Sequence, residues 1–254
     1  MNPPTTSAFL CRDDALCAPA LGMAPTRRID TAGLGAQAQT AAKAWNRYGG
    51  LLAPLCASTG ISPAAAVAVL CVESSGQGMT DSGKLIIRFE NHVFWDRWGK
   101  KNPDAFQARF TFDPVKRWTK QQYRAQTTDP WKPLHDVGQG AEWGAFGVAR
   151  ALDETAAMQS ISMGAPQIMG FNHAAIGYGS AKEMFDRFVA DERYHVLALF
   201  DFVKGGAPSS RMLDALRGGD YDRFATFYNG SGQAPAYGAR IRAAAAAFEQ
   251  IAQR

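Results

Sequence analysis

Apolar positions recur along most of this chain at helical spacing, interrupted by one stretch of strand character near residues 85–95. Residues 36–48, with Trp45 and Tyr48 for packing, read as a helix that Gly49-Gly50 ends. A second short helix over about 51–58 closes at Gly60. Ser62 and Pro63 then open a third, because serine is a strong N-cap and proline suits the first helical position. Ala64 to Val72 is apolar without a break, so this helix is expected to be buried on most sides, and Ser74-Ser75-Gly76 stops it. Residues 139–158 and 180–204 carry two longer helical patterns, and 208–218 a short one. Asp220 caps the next helix, and an Ala-rich helix over about 234–252 closes the chain.

The strand-like stretch, introduced by Gly83, gathers Ile86, Ile87, Phe89, Val93, Phe94 and Trp95 and is expected in a small antiparallel hairpin or sheet. From Lys100 to Gly140 the chain is polar, aromatic and irregular. Phe106, Phe110, Phe112, Trp118, Tyr123 and Trp131 alternate there with lysines and arginines. Long loops without structure of their own are often functional. Most of these rings are expected to pin the loop to the core, leaving one or two free to stack on a sugar. Residues 1–30, rich in Pro, Thr, Ala and Arg, read as a flexible or partly ordered arm, with the domain proper over 31–254. The expected fold class is α+β and predominantly α-helical.

Two acids stand out against this pattern. Glu73 lies at the carbonyl end of the apolar helix, where both the helix dipole and the surroundings disfavour a negative charge. Its pKa is expected to rise, and a carboxylic acid that keeps its proton near neutral pH can act as a general acid. Seventeen positions on, Glu90 interrupts the strand-like run. A helix-end acid and a strand acid, both in apolar surroundings, make the paired-carboxylate arrangement that glycoside hydrolysis uses.

Composition narrows the class. The 254 residues, 46% hydrophobic and 20% charged, suit a globular protein with a sizeable core. A net charge of +4 is too mild for a nucleic-acid footprint but favours encounter with an anionic wall polymer. No apolar run reaches the roughly 18 residues that a membrane span needs, and no signal-peptide pattern opens the chain. Cys11, Cys17, Cys56 and Cys71 lack zinc-site spacing and the four histidines are scattered, so neither metal nor cofactor is expected. Cys56 and Cys71 read as buried free thiols, while Cys11 and Cys17 are left open between free and bridged.

Glu73-Ser74-Ser75-Gly76 followed by Leu85-Ile86-Ile87-Arg88-Phe89-Glu90-Asn91-His92-Val93-Phe94 resembles the phage-type N-acetylmuramidases of endolysin catalytic domains. Two later segments, Ser162 to His173 and Phe227-Tyr228-Asn229-Gly230-Ser231-Gly232, fit as well. Their order is similar to that in goose-type lysozymes and soluble lytic transglycosylases, and the resemblance covers roughly residues 35–252. It implies a lysozyme-like domain with a small sheet beside a substrate cleft. Glu73 is implied as general acid and Glu90 as second carboxylate, with Ser74, His92, Gln167, Tyr228 and Asn229 around the sugar. The implied substrate is bacterial peptidoglycan, cleaved at the β-1,4 bond between N-acetylmuramic acid and N-acetylglucosamine by a monomer. The implied setting is phage lysis: synthesis in the host cytoplasm and action on the wall after release, with a secreted or virion-associated protein as the alternatives. A lytic transglycosylase forming anhydro-sugars, a non-catalytic wall-binding module and a purely structural Glu90 stay open at this level.

Overall fold

The structure, a computed structural model, describes residues 9–205, 209–232 and 234–253. Helix α1 (Asp14–Cys17) is a single turn capped by the Asp13 carboxylate. Helix α2 (Ala36–Thr59) is one continuous 24-residue helix, so the expected break at Gly49-Gly50 and the separate helix after it do not occur. A glycine costs a helix only about 1 kcal/mol against alanine. Burial of Leu51, Leu52 and Leu55 directly after the pair outweighs that. The two glycines serve close approach instead. A Cβ on Gly49 would meet the Trp45 ring at 2.7 Å, and one on Gly50 would collide with the Ala24 carbonyl. Gly50 donates its amide to the Met23 carbonyl at 2.8 Å, which fixes a crossing strap.

Helix α3 (Pro63–Ser74) follows its local signals. The Ser62 hydroxyl accepts from the Ala65 amide at 3.1 Å, and every residue from Ala64 to Leu70 is buried. Ser75 takes a left-handed φ of 56°, and the Ser75 and Gly76 amides close on the Cys71 and Leu70 carbonyls. Strand β1 (Ile87–Phe89) is shorter than expected, because Val93, Phe94 and Trp95 belong to helix α4 (Asn91–Arg97). The rings settle that: Phe94 stacks on Trp98 one turn on, with centroids 5.2 Å apart. Glu90 therefore lies at the junction of β1 and α4, not within a strand.

The segment read as irregular carries helix α5 (Pro103–Gln107) and a small antiparallel sheet of β2 (Phe110–Thr111), β3 (Gln122–Tyr123) and β4 (Lys132–Pro133). Phe106, Phe110 and Tyr123 are buried, while Trp118 is 57% and Trp131 36% exposed. The expected helix over 139–158 is two, α6 (Gln139–Leu152) and α7 (Glu154–Gln159), because Asp153 turns extended and caps the second. Strands β5 (Ile161–Met163) and β6 (Ile168–Met169) join β1 in the order β1-β5-β6, all antiparallel. The partner of β1 thus comes from far along the chain rather than from an adjacent hairpin arm. The pattern over 180–204 likewise splits, at Asp191, into α8 (Ala181–Ala190) and α9 (Arg193–Gly205). Helices α10 (Ser209–Arg217), α11 (Tyr221–Asn229) and α12 (Ala234–Ala252) follow, with the Asp220 carboxylate capping α11 as expected.

These elements form two cores. Helices α2, α3 and α10–α12 surround one, and both sheets with α4–α8 surround the other. Helix α9 serves both, with Leu197 and Phe200 in the first and Ala198 in the second. The architecture is predominantly helical α+β, as the sequence pattern predicts. Before α2 the chain is held to α9. Asp201 accepts from the Leu10 and Cys11 amides at 2.8 and 3.0 Å, and buried Arg193 donates to the Leu16 and Leu21 carbonyls. All four cysteines are free thiols, and no described helix is long and apolar enough to cross a membrane.

Candidate active site

Glu73 stands in the last turn of α3, half-buried, with its Oε1 accepting from Asn229 Nδ2 at 3.2 Å. Burial pushes its carboxyl up from the ordinary range to about 7. The Asn229 hydrogen bond and the charge of Arg240 pull it down and are outweighed. Arg240 reaches across from α12 to the Val72 carbonyl at 3.4 Å.

Glu90 is deeper, with its side chain 14% exposed, yet its chemistry runs the other way. Burial acting alone would raise its carboxyl, but His135, Arg88 and Gln121 together hold it down at about 2. Gln121 Nε2 donates to Oε2 at 2.6 Å, and Arg88 Nε to Oε1 at 3.0 Å. His92 Nδ1 and His135 Nε2 stand 3.4 and 3.7 Å from Oε2. His135 is gripped from behind, its Nδ1 2.9 Å from Glu142 Oε1, while Glu142 Oε2 accepts the Phe89 amide at 2.8 Å.

A groove of about 660 Å³ runs beside Glu90, lined by Arg88, Phe112, Trp118, Lys120, Gln121 and His135. Tyr237 on α12 has its hydroxyl raised by burial and then by the charge of Glu73, with Arg240 and Arg88 opposing. A larger hollow of about 820 Å³ lies between Trp45, Ser62 and Phe248 and holds neither acid. It opens at the start of α3, about 16 Å along the helix from Glu73.

The remaining residues that the resemblance placed around the sugar divide in two. Asn229 touches Glu73, and His92 touches Glu90. Ser74, Gln167 and Tyr228 spend their polar atoms inside the protein. Ser74 Oγ donates to the Ala165 carbonyl at 2.8 Å, and Tyr228 Oη to the Pro166 carbonyl at 2.7 Å. Gln167, at a left-handed φ of 48°, accepts from Ser162 Oγ and donates to the Gly164 carbonyl, each at 2.8 Å. Together the three hold the β5–β6 turn against the ends of α3 and α11, which sets where Glu73 and Asn229 meet.

Sequence reasoning passed over Gln121 and His135, which with Arg88 hold the Glu90 carboxyl down, and Glu142, which holds His135. One of them left a signal. Glu142 falls on the same helical stripe as Phe146 and Ala149, so it is an acid on an apolar face, and it is 5% exposed.

Comparison with known proteins adds two findings. A family model described as Muramidase, N-acetylmuramidase, matches residues 62–249, from the cap of α3 to the last turns of α12. Among solved structures, a Burkholderia AP3 phage endolysin is similar with a TM-score of 0.59 at 25% identity, over 78% of this chain and 70% of that one. No curated protein matches the chain.

Proposed function

The chain belongs to the N-acetylmuramidase family, glycoside hydrolases acting on peptidoglycan, and on that premise we propose that Glu73 is its general acid and Glu90 its second carboxylate. What supports this reading is the contrast between the two carboxyls: burial pushes Glu73 up to about 7, while His135, Arg88 and Gln121 hold Glu90 down at about 2. Near neutral pH Glu73 holds a proton to give and Glu90 holds a charge, the division of labour that cleavage of a glycosidic bond requires.

Glu73 donates to the oxygen linking N-acetylmuramic acid to N-acetylglucosamine. The C1–O bond then breaks and positive charge builds on the sugar carbon and ring oxygen. The ionised Glu90 answers that charge. A separation of about 5 Å between the carboxyl groups favours covalent attack and retention, whereas about 6.5–9.5 Å leaves room for a water that Glu90 activates, with inversion. Asn229 keeps the acid aimed at the cleft, and Trp118 offers the glycan an exposed ring beside Glu90. The likeness to a phage endolysin supports host lysis as the setting, with the enzyme working on the wall as a monomer.

Turbidity loss and product mass analysis on purified peptidoglycan test the reading, with wild type compared against Glu73→Gln and Glu90→Gln. Soluble fragments carrying one added water, and loss of both variants' activity, are the expected result. Anhydro-muramic products, or full activity without the Glu73 proton, would overturn it.

A further inference from the structure

The surroundings of Glu90 contain more organisation than a second carboxylate needs merely to be buried. Glu142 uses each of its oxygens once: one takes the Phe89 amide, adjacent to Glu90 in the chain, and the other takes His135 Nδ1. A single carboxylate on α6 thus fixes both the backbone that carries Glu90 and the imidazole that faces it. The other nitrogen of that ring, Nε2, is buried and has no hydrogen-bond partner among the described residues. Its nearest carboxylate oxygen is Glu90 Oε2, at 3.7 Å.

We propose that His135, clamped by Glu142, is a positioning residue that aims the Glu90 carboxylate into the cleft and supplies its counter-charge.

This rests on the reading of Glu90 as second carboxylate. Three cationic or titratable side chains face Glu90 directly, and only His135 is built for the task. Arg88 is 44% exposed, so solvent screens it and its long side chain is free to leave. His92 is 23% exposed, and burial lowers its imidazole, with Glu90 and Asp96 opposing and Arg117 and His135 adding to the fall. His135 is 10% exposed and lies between two carboxylates. Burial works against its charge, but Glu142 and Glu90 outweigh it and the imidazole is raised, with Arg88 a smaller opposing influence. A cation in a dry, fixed place acts more strongly on its neighbour than one in water. The order Glu142, His135, Glu90 also fixes the ring: Nδ1–H points to Glu142 and Nε2–H to Glu90.

Two measurements decide it. The first is the pH profile of peptidoglycan hydrolysis by wild type, His135→Asn and Glu142→Gln. Loss of the counter-charge raises the Glu90 carboxyl, so the acidic limb moves upward by about one pH unit in His135→Asn, from near pH 2 to near pH 3, a loss of about fivefold at pH 2 that vanishes by pH 5. A smaller shift in the same direction is expected for Glu142→Gln. An equal loss at every pH would mark a structural role and overturn the proposal. The second needs no activity and covers the case in which His135→Asn does not fold. The imidazole proton resonances of His135 are titrated in wild type, Glu142→Gln and Glu90→Gln. A midpoint above the ordinary 6.5 in wild type that falls in both variants supports the proposal, and an unchanged midpoint in Glu90→Gln overturns it. Full hydrolytic activity of Glu90→Gln would instead defeat the two-carboxylate reading, a result separable from the histidine titration.

Discussion

At the end of α3, Glu73 has one hydrogen-bond donor among the described residues, Asn229, and burial decides its proton; at the start of α4, Glu90 has Gln121, Arg88, His92 and His135 around it, and Gln121, Arg88 and His135 decide instead. Burial pushes both carboxyl groups up, so burial alone cannot tell the acid from the counter-charge. The neighbours tell them apart. On the helical side an apolar helix ends in a place with few donors, and the carboxyl goes to about 7. On the sheet side the short strands bring in a histidine, an arginine and an amide, and the carboxyl goes to about 2. Chemical role follows from what the second core delivers to one residue and the first withholds from the other.

The largest way to break this contrast is Glu73→Gln, which removes the proposed transferable proton on the helical side. Its turnover on purified peptidoglycan is expected to fall about 10³-fold with little change in KM, within the range that general acid catalysis contributes. Glu90→Gln comes next, a fall of about 10²-fold, since the charge is lost while Glu73 still donates. Both are read by initial rates on the same substrate.

A smaller effect sharpens the helical side. The Asn229 amide favours the ionised form of Glu73, so Asn229→Ala raises that carboxyl further. Wild-type activity is expected to decline as pH rises through about 7, where Glu73 loses its proton. In Asn229→Ala the basic limb moves to higher pH, visible in a rate profile from pH 5 to 9.

The smallest effect is on stability. Glu73 binds its proton more tightly folded than unfolded, so the fold is favoured below the unfolded pKa near 4.5 and loses that advantage as pH rises to about 7. Glu73→Gln removes the cost. It is expected to be more stable than wild type above pH 7, by about 1–2 kcal/mol once its partial exposure is allowed for, and indistinguishable at pH 4. Urea midpoints at the two pH values measure this.

The two sides also differ in how far they could be read from sequence. The helical side was legible because its signals are local: Ser62 and Pro63 start α3, Ser75 and Gly76 stop it, and the intervening run places Glu73 at a buried end. The sheet side was not, because besides its near neighbour Arg88 Glu90 owes its state to Gln121 and His135, 31 and more positions away beside strands two residues long, and His135 is itself held by Glu142. Short strands leave no periodicity to detect. The breaks at Asp153 and Asp191 carried a readable residue type, but continuous apolar spacing on either side hid them. Gly49-Gly50 misled for the opposite reason: the helix passes through them because a distant strap needs the space. Ser74, Gln167 and Tyr228, which the resemblance placed around the sugar, make hydrogen bonds within the protein that are visible only in the fold.

The central claim is that the two proposed catalytic acids, Glu73 and Glu90, stand in opposite protonation states at neutral pH. Carbon-13 titration of the side-chain carboxyls tests it directly, with Glu73 and Glu90 assigned by difference against Glu73→Gln and Glu90→Gln. The account predicts a Glu73 midpoint near 7 and a Glu90 carboxylate still ionised at pH 4. Two midpoints together near 4 would contradict it.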